Sequence, residues 1–155
     1  MNIIRPERGE AAAVAKRLDA ELVGHELREV EWRDYDWAFS FTNGVGIRVA
    51  CPWRIVKDGG ISLTDSDHGQ KFGLPAPIDG PVECKKLLAR RAVQHTNIRK
   101  ATTDLEIVFD PDITLEIWNN SSGYEGWELY SPRGFHAIAM GGGQLATYEE
   151  KQPRS

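Results

Sequence analysis

The chain has 155 residues, 41% of them hydrophobic, and 19 Lys and Arg stand against 23 Asp and Glu for a formal charge of -4. That length lets a single domain over residues 1–155 bury roughly two thirds of its extended surface, enough to fold without a metal or a disulfide. The acidic balance speaks against nucleic acid as a partner, since a phosphate-reading surface gathers Lys and Arg on one face, and the cluster Lys85, Lys86, Arg90 and Arg91 reads as the solvated side of a short helix.

From Gly9 to Val23, Ala11, Val14, Ala15, Leu18 and Leu22 recur every three or four residues while charged residues take the other side, which predicts an amphipathic helix. Pro6 suits its first turn, and Gly24 supplies a left-handed terminator. Leu27, Val30 and Trp32 begin a strand. The alternating runs Trp37–Phe41 and Val45–Val49 then flank Asn43-Gly44, a pair suited to a type I′ hairpin.

Cys51-Pro52 interrupts the ladder, because proline has no N–H to donate. Trp53–Lys57 and Gly60–Thr64 form a second hairpin about Asp58-Gly59. Residues 65–80 are rich in Asp, Ser, Gly and Pro, with Phe72, Leu74 and Ile78 as apolar anchors, and read as a linker that is long for a structureless connection.

Gly80 as N-cap, Pro81 as first helical residue and Glu83 in the first turn open a second helix that buries Cys84, Leu87 and Leu88. Val93–Ile98 repeats the strand at Leu27. Leu105–Ile117, turning at Asp110-Pro111-Asp112, repeats the first hairpin, with Trp37, Phe39, Phe41, Val45, Ile47 and Val49 answered by Leu105, Ile107, Phe109, Ile113, Leu115 and Ile117. Every pair is 68 residues apart, and a period of two puts matched positions on the same face.

Trp127–Tyr130 and Phe135–Ala139 answer the Trp53 hairpin, Gly141-Gly142-Gly143 makes a turn or bulge, Gln144–Tyr148 is a last strand, and Glu149–Ser155 is a frayed tail. The expected class is α+β: internally duplicated helix-plus-antiparallel-meander halves, about 9–64 and 81–148, joined by 65–80 in one compact domain, with the halves sharing one sheet or packing as two.

Chemistry is sparse. His25, His68, His95 and His136 are too scattered to give a local metal set, and Cys51 and Cys84 have no CxxC or Cys/His spacing, so no metal or cofactor is expected. No catalytic residue is assigned: nucleophile elbow, Walker loop and dinucleotide fingerprint are all missing. Two stretches concentrate polar and aromatic groups. Asp67 and His68 sit in the long linker; Tyr124, Glu125 and Trp127 sit in a six-residue insertion that the first half lacks. These five are the candidate binding residues, with the plainer alternative that His68 lies in a solvated loop, Trp127 is core like Trp53, and Tyr124 covers a strand end.

Met1-Asn2-Ile3-Ile4-Arg5-Pro6 lacks the apolar core of a secretory leader, and no run reaches the ~20 apolar residues that span a bilayer, so a cytoplasmic protein off the membrane is expected. The segments Trp53-Arg54-Ile55, Ser121–Leu129 and Met140–Ala146 resemble a family of small uncharacterised bacterial proteins, a domain of unknown function marked by a Tyr-Glu-x-Trp segment and a Gly-Gly-x-Leu-Ala ending. The resemblance covers most of the chain after Leu22 and implies the order of elements and a bacterial cytoplasmic setting. The expected function is a non-enzymatic protein-interaction domain, of the toxin-neutralising, immunity-like kind by analogy. The alternative is a small-molecule-binding or hydrolytic domain using a cleft between the halves.

Overall fold

The computed structural model describes residues 2–4, 8–109 and 111–150. The expectations for Pro6, Asp110 and the tail beyond Glu150 lie outside the described residues. Among the described residues, twelve strands and two α-helices form an α+β fold with two antiparallel sheets. In order these are β1 (Asn2–Ile4), α1 (Arg8–Leu22), β2 (Leu27–Trp32), β3 (Trp37–Phe41), β4 (Gly46–Val49), β5 (Trp53–Lys57), β6 (Gly60–Thr64), α2 (Gly80–Leu88), β7 (Val93–Ile98), β8 (Leu105–Phe109), β9 (Ile113–Ile117), β10 (Trp127–Tyr130), β11 (Phe135–Ala139) and β12 (Leu145–Glu149).

The halves do not fold into separate meanders, and this corrects the expectation. One sheet runs β1-β12-β11-β10-β4-β3-β2 and the other β6-β5-β9-β8-β7. Cys51-Pro52 is the reason: the missing proline N–H ends the β4 ladder, and β5 continues in the opposite sheet. There β5 pairs with β9, placing Trp53 opposite Ile117 and Ile55 opposite Leu115. In the larger sheet β10 takes the edge of β4 that β5 vacated, placing Trp127 opposite Val49 and Leu129 opposite Ile47. The helices also cross over, α1 packing on β7 and α2 on β2.

The alternation read from the sequence sets the inner faces. Trp37, Phe39, Phe41, Ile47 and Val49 of one sheet share a core with Trp53, Ile55, Leu105, Ile107, Phe109, Leu115 and Ile117 of the other. Trp53 is the rivet between them, edge-on to Trp37 at 5.0 Å and to Phe39 at 5.6 Å. Such aromatic pairs are worth about 0.5–1.5 kcal/mol beyond their burial. A bulge falls at Leu27/Glu29 in the β2–β3 pair and at Val93/His95 in the β7–β8 pair.

Local chemistry departs from expectation at several turns. Asn43 keeps a negative φ and only Gly44 is left-handed, at φ 87, so the first hairpin closes through a three-residue loop rather than a type I′ pair. The Asn43 side chain explains the difference: its oxygen accepts from the Val45 N–H and its amide donates to the Glu21 carbonyl. Asp58 and Gly59 do take two positive φ values, 52 and 76, as Asp-Gly predicts. Helix α2 is capped by Asp79 rather than Gly80, the Asp79 carboxylate accepting from the Val82 N–H.

Within the linker, Phe72 and Leu74 are exposed and only Ile78 reaches the core, contrary to the expectation of three anchors. The segment holds itself instead: Asp65–Asp67 forms a 3-10 turn, and Gly69 and Gln70 bond Ile78 across a backbone rung. Strand β1, which has no periodic signature, pairs with β12.

Candidate functional site

Two crossovers between the sheets run side by side at one end of the sandwich. Ala50-Cys51-Pro52 leads from β4 to β5, and residues 118–126 lead from β9 to β10. The Ala50 N–H donates to the Gly126 carbonyl and the Trp118 N–H to the Pro52 carbonyl, which fixes the two against each other. Hollows open on either side of this seam and share Ala50, Cys51 and Asn120 in their walls. Through these three shared residues the two hollows adjoin as a groove.

The first hollow, about 330 Å³, takes Trp32, Tyr35, Asp36 and Trp37 from the β2–β3 hairpin and Asp65 and His68 from the linker. Its floor is positioned by Gly80. A Cβ there would lie 2.8 Å from the Trp37 ring and 3.2 Å from His68, so only glycine lets the start of α2 approach so closely. The Gly80 N–H donates to His68 Nδ1 at 2.9 Å, which places the proton of the neutral imidazole on Nε2. Trp37 lies edge-on to His68 at 5.6 Å and tilted against Trp32 at 5.0 Å.

Asp36, buried, receives Nε and Nη2 of Arg33 at 2.6 and 2.8 Å in a bidentate pair and has Arg48 at 3.7 Å. Desolvation pushes the Asp65 carboxyl up, against the lowering by backbone N–H groups of Trp53, Asp65 and Ser66. Asp65 has no ion-pair partner among the described residues.

The second hollow, about 570 Å³, is lined by Arg48, Ser121, Gly123, Tyr124, Glu125 and Gly126 besides the shared residues. Arg48 links the hollows, touching Asp36 on one side and Glu125 at 3.4 Å and Glu128 at 3.7 Å on the other. Ser121 Oγ accepts from the N–H groups of Gly123 and Tyr124 and so folds the insertion, leaving Tyr124 83% exposed; Tyr35, at the first hollow, is 77% exposed.

Three of the five candidates from the sequence therefore line this groove: His68, Tyr124 and Glu125. Asp67 does not, because its carboxylate turns back to accept the Thr64 N–H and caps the 3-10 turn. Trp127 is fully buried and its indole N–H donates to the Thr103 carbonyl, so it is core and no ligand reaches it. Trp32, Tyr35, Asp36, Arg48, Asp65 and Asn120 were not singled out by pattern. The signal for Asp36 was masked by its place in the hairpin motif, where Asp104 stands 68 residues on and receives the Asn119 N–H as a structural acceptor.

Burial, with the charges of Asp104 and Asp65, pushes the Cys51 thiol up to about 12, so it stays protonated at neutral pH and is a poor nucleophile. Among the described residues no three His, Cys, Asp or Glu side chains are grouped to hold a metal ion, and no helix is long and apolar enough to cross a membrane. A third hollow of about 460 Å³ on the outer face of the smaller sheet holds Arg54, but this cation is spent on Glu116 at 2.5 Å and on the Trp118 ring at 4.1 Å.

A family described as a family of unknown function (DUF6188) matches residues 18–149. No curated protein and no solved structure matches the chain.

Proposed function

Since the chain belongs to this family of unknown function, which carries no activity over to it, we propose that it is a protein-interaction domain whose partner docks along the groove at the crossovers. The observation that carries this reading is the pair Tyr35 and Tyr124, one lining each of the two adjoining hollows and both largely exposed. Large amphipathic rings give contact area while losing little side-chain entropy, and they anchor interfaces more often than chance. The carboxylate of Asp65, without an ion-pair partner among the described residues, and the net charge of -4 favour a basic partner. In the narrower form of this proposal the protein is a bacterial, cytoplasmic neutraliser that covers a basic toxin domain.

We read the halves as a duplication on the same footing. What supports it is the common offset of six core positions, the matching bulges, and the two seams that set a Trp opposite the last residue of β4 or β9. The single compact domain expected from the length is part of the same reading, and what supports it is that each sheet draws strands from both halves.

The test is affinity capture from host lysate with the wild-type chain and with Tyr35→Ala/Tyr124→Ala. The proposal requires a protein retained by the first and lost by the second. Capture of nothing by the wild type, or equal retention by both, overturns it. The narrower form further requires that the captured protein arrest growth when expressed alone and not when co-expressed.

A further inference from the structure

The first hollow has a composition unlike the rest of the groove. Its walls carry three aromatic residues, Trp32, Tyr35 and Trp37, with His68 and two carboxylates, and no Lys or Arg side chain lines it. The charge of Asp36 is met from outside by Arg33, which occupies both oxygens, and by Arg48 at 3.7 Å. Asp65 is different: half-buried, accepting the Trp53 N–H at 3.2 Å and lacking any cation within ion-pair distance among the described residues. A desolvated carboxylate beside aromatic rings is an arrangement that favours a positive guest, which gains both the Coulomb term and the ring quadrupoles.

The packing of Trp37 against Trp53 does not by itself call for a second aromatic residue at position 32. Trp32 stands opposite Trp37 in the β2–β3 pair, and in the β7–β8 pair Ile98 stands opposite Leu105. Aliphatic residues thus fill the same layer of the other sheet, and the aromatic pair occurs only where a hollow with an uncompensated carboxylate opens beside it.

We infer that this hollow is a receptor for an organic cation, the guanidinium or ammonium head of an arginine or lysine side chain presented by the protein partner, seated on Trp32 and Tyr35 with Asp65 as its counter-charge. The volume of about 330 Å³ accommodates one such side chain. This rests on the reading of the groove as a docking surface and names what the partner inserts.

The experiment is an NMR titration of the 15N-labelled full chain with N-acetylargininamide, and in parallel with N-acetylcitrullinamide, its neutral isostere. Argininamide is expected to shift the indole resonance of Trp32 and the amides around Asp65 and His68 saturably, and citrullinamide to leave them in place. Asp65→Asn keeps the acceptor for the Trp53 N–H, and it should weaken argininamide about five- to tenfold as the unpaired charge is lost. Trp32→Leu, which restores the aliphatic pattern of the other sheet, should weaken it by a similar factor.

Equal shifts with citrullinamide, or shifts that survive Asp65→Asn unchanged, overturn the inference. Should argininamide fail while Tyr35→Ala/Tyr124→Ala still loses its partner, the docking surface stands and the cation receptor falls. Should argininamide bind here while no partner depends on the tyrosines, the side-chain source is overturned and the hollow takes a free small cation.

Discussion

Trp37 and Trp53 meet edge to face at 5.0 Å across the interior, one from each sheet, and both are at most 4% exposed. Their contact ties the two sheets together at the point where the chain has just passed from one to the other. Truncating Trp53 to Ala should cost about 3–5 kcal/mol, and Trp127 to Ala about the same, as for other large buried side chains. Phenylalanine separates the two positions. The Trp53 indole N–H is buried without a hydrogen-bond partner among the described residues, whereas that of Trp127 donates to the Thr103 carbonyl at 2.8 Å. Trp127→Phe should therefore be the more destabilising of the two by about 1 kcal/mol, since it alone leaves a buried carbonyl unmatched. Urea unfolding of both variants checks this, and the reverse order would count against the assignment.

Glu21 at the end of α1 supplies the acid limit of stability. Burial raises its pKa, but the hydrogen bonds from Ser131 and Arg133 and the charges of Arg133 and Arg17 outweigh this, so the net shift is downward. A depressed folded-state value means the stabilisation is full above the unfolded carboxyl range and is lost as pH falls through the folded value. Melting temperature should drop in acid more steeply for the wild type than for Glu21→Gln. At neutral pH the Gln variant should be less stable by about 1–3 kcal/mol, having lost charge-assisted bonds to a buried group.

Gly80 is the close-approach point between α2 and the hollow. Gly80→Ala should destabilise by about 1–3 kcal/mol, the usual range for overpacking, because the new methyl group meets the Trp37 ring at 2.8 Å. The same displacement should change the near-ultraviolet circular dichroism of the Trp32–Trp37 pair, while Gly69→Ala, a left-handed glycine with open space about its Cα, should leave that signal alone despite its own backbone strain.

Tyr35 and Tyr124 should be dispensable for folding. Alanine at either position is expected to move unfolding free energy by no more than about 0.5 kcal/mol, as for surface sites without special geometry. A loss of several kcal/mol in urea titrations would mark them as structural and remove them as docking residues.

How far the sequence reached is best judged at particular residues. Alternation placed Phe39, Ile47, Ile107 and Leu115 on inner faces, because the period-two pattern is a direct image of strand geometry. It could not place β5, since pairing with β4 or β9 satisfies the same alternation and only the break at Cys51-Pro52 hints at the change of sheet. The groove was legible through its loops, His68 and Tyr124, which are rich in polar and aromatic residues. Its remaining walls come from strand ends such as Trp32 and Val49, which the alternation marks only as ordinary core positions. Trp127 carried the same aromatic signal as Tyr124 yet turned inward, because the strand begins at that residue and its parity faces the core.

The crossing of strands between sheets also governs synthesis of the protein. When the ribosome has delivered β4, the edge that β10 will cover is still bare, and it stays so until Trp127–Tyr130 is made; β5 likewise waits for Ile113–Ile117. A nascent chain short of those segments presents open edges that invite pairing with other chains. The smaller sheet is thus incomplete until Ile113–Ile117 has emerged, and the larger until the strands from Trp127 onward have.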